Sequence, residues 1–217
     1  MAEGRLFIGT RRYSSWSLRG WLAVRLAGLD VEEVVIPLAG GSTPEIKRAT
    51  PSGLVPYLEH RGARVWESLA ICEYCAEIFP GLWPADPAAR AHARAIAAEM
   101  HAGFRELRMA MPMSLFRKAA GAGHTPGALA DVARIEAIWA ESLGRHGGPF
   151  LFGGTFGNAD SMYAPVVARF LTYQPKLSAL SLAYCAAVRA APLVAEWYDA
   201  AAREPVDWFV PRFEEPA

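Results

Sequence analysis

The sequence predicts two domains: a small mixed α/β domain, β-α-β-α-β-β-α, over residues 1–80, and an all-α helical bundle over residues 86–217. Three observations carry this reading. The chain opens as strand, polar turn, helix, strand. A breaker-rich stretch, Pro80-Gly81-Leu82-Trp83-Pro84, then interrupts it. Beyond residue 86, Ala-rich segments of helical periodicity run to residue 203, with no convincing alternating strand among them.

Residues 5–9, Arg-Leu-Phe-Ile-Gly, read as a buried strand, and 15–27 place Leu18, Trp21, Leu22 and Leu26 at helix spacing. Gly28 stops that helix, and the β-branched run 31–37 makes a second strand parallel to the first. A short helix over 44–48 follows a Ser42-Thr43 cap. Strands at 55–59 and 64–66 flank Arg61-Gly62, the turn of an antiparallel hairpin, and 67–79 returns to helix. In the second part, helices are expected at 86–119, bent or broken by Pro112, and at 127–146, 158–172, 177–190 and 192–203.

Composition excludes several classes of function. Twenty-two Lys and Arg balance 22 Asp and Glu, with no basic run to meet nucleic acid or an anionic membrane. Apolar stretches break well before the roughly 20 residues of a membrane span, so a soluble cytoplasmic protein is expected. Three cysteines are too few for a disulfide framework. Cys72 and Cys75 form a Cys-x-x-Cys pair inside a helical segment rather than at a strand-to-helix turn, which makes them core thiols. Five scattered His lack ligand spacing, so no metal is expected, and no phosphate-binding glycine motif occurs.

Four short motifs remain. Tyr13-Ser14-Ser15-Trp16-Ser17-Leu18-Arg19 opens the first helix; alone, its serines read as caps and Arg19 as a solvated residue. Ser52-Gly53-Leu54-Val55-Pro56 alone reads as an ordinary proline at a strand start. Glu67-Ser68, before Leu69-Ala70-Ile71, reads as a helix cap with an acidic first turn. Gly157-Asn158-Ala159-Asp160 is half a capping box, in which Asp160 reaches back to the N–H at 157; its role is folding, not chemistry.

Together with the element order, these motifs resemble the cytosolic glutathione S-transferases over nearly the whole chain, and among them a serine-type bacterial member close to the zeta class, the maleylacetoacetate isomerases. The resemblance implies a thioredoxin-like first domain and an all-helical second one. It also implies that glutathione is the co-substrate, with Ser14, or else Ser15, donating a hydroxyl hydrogen bond to its sulfur. An ordinary thiol has a pKa of about 8.5, so a hydroxyl donor at a helix N-terminus supplies the preference for thiolate that attack at neutral pH requires. Leu54, Val55, a cis Pro56, Glu67, Ser68 and Trp16 are expected to hold the tripeptide. Trp16 stands where the zeta class has Cys, which rules out a mixed disulfide there.

Tyr13, Trp16, Met100, His101, Phe104, Arg108 and Met111 are the candidate wall of a second-substrate pocket in the helical domain, favouring an apolar or aromatic electrophile. Positions 101, 104, 105 and 108 share a helix face. The resemblance further implies a homodimer. The function expected is transfer of glutathione to a small alkyl or aryl electrophile; the alternatives are glutathione-dependent cis–trans isomerisation of the maleylacetoacetate type and a non-catalytic binding or scaffold protein of the same fold.

Overall fold

The computed structural model describes residues 2–40 and 43–215. The chain runs β1 (Gly4–Gly9), α1 (Ser15–Leu26), β2 (Glu32–Ile36), α2 (Pro44–Ala49), β3 (Tyr57–His60), β4 (Ala63–Trp66) and α3 (Ser68–Ile78), followed by helices only. These are α4 (Pro87–Ala102), α5 (Arg105–Ala110), α6 (Pro126–His146), α7 (Asn158–Tyr173), α8 (Ala179–Ala190), α9 (Pro192–Ala202) and a final turn, α10 (Pro211–Glu214). The fold class is the one the sequence predicts.

The four strands lie in the order β2-β1-β3-β4. β1 pairs parallel with β2, Phe7 opposite Val34, and antiparallel with β3, Leu6 opposite Leu58. Alternation along β1 sends Leu6 and Ile8 into one core with Leu18, Leu22 and Ile71, and sends Phe7 to the other face with Ile46 and Tyr57. The sheet is thus covered by α1 and α3 on one side and α2 on the other. Arg61 and Gly62 both take positive φ, 48° and 84°, which a two-residue hairpin turn requires. Ser42, expected to share the cap of α2, lies outside the described residues; Thr43 is the N-cap there and makes no side-chain cap bond.

The bundle is organised around α7, whose residues are buried except Leu171. Trp139 of α6 packs its ring against Tyr163, Phe170 and Tyr184, 4.6–5.9 Å between centroids. Asp160 accepts the Gly157 N–H at 3.0 Å, as the half capping box predicts. The first bundle helix breaks earlier than expected: it ends at Gly103, and Phe104 takes a left-handed conformation, φ 59°, before α5 begins. Pro112 therefore lies in the loop after α5, not at a bend within a helix.

Contacts between the two parts position the site. Arg19, expected on a solvated face, is fully buried because α7 covers α1, and its Nε donates to the Met162 carbonyl at 3.0 Å. Asn158 Nδ2 donates to the Cys72 carbonyl at 2.9 Å. Cys72, Cys75 and Cys185 are all free and buried, and desolvation raises each thiol pKa, that of Cys75 to about 12. Among the described residues no single helix is long and apolar enough to cross a membrane.

Candidate active site

Two adjoining cavities meet at the N-terminus of α1, with Trp16 and Val55 in the wall of both. The smaller, about 210 Å³, is lined by Trp16, Leu54, Val55, Pro56, Glu67 and Ser68, the six residues expected to hold the tripeptide. The Val55–Pro56 bond is cis, as expected. Gly20 lets α1 approach this corner: a Cβ there would sit 2.8 Å from Pro56 Cγ. Glu67 has φ 68° and ψ 125°, a region that residues with side chains rarely adopt and that collects at functional sites. Its neighbour Ser68 is fully buried, and the Ser68 Oγ has no hydrogen-bond partner. A buried orphan hydroxyl at the start of an 11-residue helix suits a carboxylate, and the exposed Glu67 carboxylate suits an ammonium.

The larger cavity, about 610 Å³, is bounded by Tyr13, Ser14, Ser15 and Trp16, by Ile46 and Lys47 of α2, and by Arg108, Pro112, Met113 and Arg169 from the bundle. Ser14 is the N-cap of α1; its Oγ accepts the Ser17 N–H at 3.4 Å and lies 2.7 Å from Ser17 Oγ. Capping uses the oxygen of Ser14 and leaves its hydrogen available, so the cap role and the donor role are compatible. Ser15 Oγ accepts from Arg169 Nη2 at 3.4 Å. The Tyr13 hydroxyl is committed elsewhere: it donates to Glu214, and burial together with that carboxylate pushes its pKa up to about 12.

Arg108 and Arg169 line this cavity and Arg19 lies buried beside Trp16 of its wall, with no salt bridge to any of the three among the described residues. Arg169 is buried and donates to the carbonyls of Met111 and Pro165, at 2.9 and 3.0 Å; burial and the charge of Arg108 pull its pKa down to about 9. Arg108 donates to the carbonyls of Gly103 and Met100, and its Nη1 has no partner. Arg19 likewise leaves both Nη atoms unpartnered. The Trp16 ring contacts two of these cations, 4.7 Å from the Arg19 guanidinium and 4.7 Å from that of Arg108. Such contacts contribute about 0.5–2 kcal/mol each, a partial substitute for the missing carboxylates. The cavity is therefore strongly cationic on its bundle side.

This corrects the expected second-substrate pocket. Met100, Phe104 and Met111 are not its walls: they are 1%, 7% and 0% exposed and belong to the hydrophobic core. The break at Gly103 starts a new helix, so Arg108 faces the cavity while Phe104 packs inward. Tyr13, Trp16 and Arg108 do line it, and Met113 and Pro112 stand where Met111 was expected. His101 packs edge-on against Trp16, with Nε2 3.6 Å from Glu67 Oε2, outside both cavities. Burial, then the charge of Arg19, lowers its pKa below the usual histidine value.

Lys47, Arg169 and Phe213 were not singled out by sequence. Phe213 belongs to a C-terminal segment folded over the larger cavity: its ring lies 5.4 Å from that of Tyr13, and Glu214 accepts from Arg12 Nε and Nη2 at 3.1 and 2.9 Å. The helical periodicity ends before this segment, so only a pattern of aromatic residues, Trp208, Phe209 and Phe213, marked it as something other than a solvated tail.

Comparison with known proteins shows the family. Residues 13–78 match the family model of the glutathione S-transferase N-terminal domain, and residues 87–200 match that of the C-terminal domain. The chain belongs to the glutathione S-transferase family. It is 32% identical over 163 residues to a probable maleylacetoacetate isomerase of Caenorhabditis elegans, covering 72% of this chain and 74% of that protein. It is 30% identical over 174 residues to the maleylacetoacetate isomerase of Rattus norvegicus, covering 77% and 78%. Among solved structures, a maleyl pyruvate isomerase described as a bacterial zeta-class glutathione S-transferase superposes with a TM-score of 0.71 at 25% identity, covering 93% of this chain and 99% of that one.

Proposed function

We propose that this transferase-family enzyme binds glutathione across the two cavities, that Ser14 holds the sulfur as thiolate, and that the second substrate is an unsaturated carboxylate whose double bond is isomerised from cis to trans. The observation that carries the substrate class is the pair Arg108 and Arg169, two cations without carboxylate partners at the bundle wall of the larger cavity. Guanidinium groups of this kind recognise planar carboxylates. The names of the relatives support the same reaction type.

Ser68 Oγ and the first N–H groups of α3 receive the γ-glutamyl carboxylate, Glu67 accepts from its ammonium, and the Val55 backbone aligns the cysteinyl residue beside the α1 N-terminus. Lys47, in the wall of the larger cavity, is the proposed partner of the glycyl carboxylate. The thiolate adds to one carbon of the conjugated double bond; a C–S bond forms and the π electrons move to the adjoining carbonyl as an enolate. Rotation about the resulting single bond and expulsion of the thiolate restore the double bond as trans. Glutathione is returned unchanged. Arg108 and Arg169 offset the negative charge of the substrate and of the enolate.

Conjugation of glutathione to an alkyl or aryl electrophile is the second reading, favoured by Tyr13, Trp16, Met113 and Phe213 on the remaining walls. Following glutathione consumption alongside loss of a cis unsaturated diketo acid separates the two: turnover with glutathione conserved supports isomerisation, and stoichiometric loss supports conjugation. No glutathione binding at all favours the scaffold reading. Residues 1–80 and 86–217 are proposed as the two functional domains, the compartment as the cytoplasm, and the assembly as a homodimer. Exposed Trp66, Ile78 and Phe79 on β4 and the end of α3 support the last.

Two variants probe the assignments. Ser68→Ala removes one buried hydrogen bond to a carboxylate, so the Kd of glutathione measured by calorimetry is expected to rise about tenfold. Arg169→Met is expected to raise the KM of the anionic substrate by about tenfold or more. Glutathione affinity and turnover of a neutral aryl electrophile then stay within about twofold, a split that general misfolding does not produce.

A further inference from the structure

A serine hydroxyl rotates, so a thiolate donor needs something to hold its hydrogen towards the sulfur. Ser17, the third residue of α1 and fully buried, has the geometry for that. Its Oγ accepts the N–H of Gly9, the last residue of β1, at 3.0 Å, and lies 2.7 Å from Ser14 Oγ. Among the described residues Ser17 Oγ has no other hydrogen-bond partner. If Ser14 donated to Ser17, the Ser17 hydrogen would be a fully buried donor with no acceptor, which is costly. If Ser17 donates to Ser14, the fully buried Ser17 hydroxyl is satisfied, and the one free hydrogen is that of Ser14, which lines the cavity. Ser14 then accepts two bonds, from the Ser17 hydroxyl and the Ser17 N–H, and the direction left for its own hydrogen is away from the helix and into the cavity it lines.

We infer that Ser17 is a positioning residue: it relays the Gly9 N–H through its own hydroxyl to Ser14 and so fixes the Ser14 hydrogen towards the glutathione sulfur. The inference rests on Ser14 being the thiolate's donor. A chain of hydrogen bonds running one way also polarises its last member, strengthening the terminal donor. The sequence alone reads Ser17 as one of three possible caps; its contact with β1 assigns it a different task.

The test is a pH titration of the ultraviolet thiolate absorbance of bound glutathione in wild type, Ser14→Ala, Ser17→Ala and Ser17→Thr, with affinity measured by calorimetry at pH 5. Ser17→Ala is expected to lower the thiolate-to-thiol ratio at pH 7 by about three- to tenfold, the worth of one hydrogen bond, with affinity at pH 5 within about twofold. Ser17→Thr, which keeps the hydroxyl, restores the wild-type curve. The double variant Ser14→Ala/Ser17→Ala matches Ser14→Ala alone, because Ser17 acts only through Ser14. A Ser17→Ala titration identical to wild type, or a Ser17→Thr curve identical to Ser17→Ala, overturns the inference while a shifted Ser14→Ala leaves the donor assignment standing. An unshifted Ser14→Ala overturns the donor assignment itself. Should Ser17→Ala fail to fold, Ser17→Cys, similar in shape and a weak donor, replaces it, and a wild-type curve from that variant is likewise fatal.

Discussion

Ser14→Ala is expected to lower turnover at pH 7 by about 10- to 100-fold and to recover most of that loss by pH 9. An ordinary thiol, with a pKa of about 8.5, is only a few per cent ionised at neutral pH. A hydrogen bond to a charged partner is worth about 1.5–3 kcal/mol, which converts to between one and two pKa units. The N-terminus of α1, a 12-residue helix, contributes a further few tenths to 1 kcal/mol and survives the substitution. Removing the hydroxyl therefore returns the thiol towards its ordinary pKa without abolishing its attraction to the site. Glutathione affinity should change little below pH 6, where the thiol is protonated in both proteins, and the pH–rate profile should move to higher pH as a whole. Ser15→Ala is the control: its oxygen is engaged by Arg169, and its loss is expected to leave the thiol titration in place while weakening the anionic substrate. The assignment fails if Ser15→Ala moves the thiol titration and Ser14→Ala does not.

What the sequence made legible in the candidate site is what is local. Ser14, Val55-Pro56 and Glu67-Ser68 sit at element boundaries where one helix end or one hairpin sets the geometry, so a short motif suffices to find them. The cationic wall is of another kind. Arg169 lies in the middle of a buried helix and meets Ser15 across 154 positions of chain; nothing in its neighbourhood distinguishes it from an arginine on a solvated face. Arg19 fails in the same way, because its burial is decided by α7, which periodicity within α1 does not report. The pocket wall was misplaced for a smaller reason. Periodicity carried one helix through Gly103, whereas the chain there drops its helical bonds and turns Phe104 into the left-handed region, changing which face Arg108 presents. Helix existence was readable; the break that decides its facing was not.

Asp160→Ala should be the most destabilising single substitution of those considered, lowering unfolding free energy by roughly 3–5 kcal/mol. The carboxylate is 1% exposed and serves three donors: Oδ1 accepts from the Leu151 N–H at 3.0 Å and the Tyr184 hydroxyl at 3.1 Å, and Oδ2 from the Gly157 N–H at 3.0 Å. Sequence foresaw only the last. Alanine orphans two backbone N–H groups and a phenol in a water-poor interior, each at about 1–3 kcal/mol, and cavity relaxation or an entering water recovers part of that sum. Burial drives the carboxyl pKa up to about 6 against these three bonds. Because the folded value is raised above the unfolded one, the stability this group contributes is greatest below about pH 4 and is lost as pH rises through 6. Chemical denaturation of wild type and variant at pH 4 and pH 7 should therefore show a gap that narrows at the higher pH but does not close. The position touches neither cavity of the proposed active site, so residual folded variant should bind glutathione with wild-type affinity. A variant as stable as wild type at both pH values would mean that α7 and the 150–157 loop are held by packing alone, and that the half capping box is incidental to the bundle.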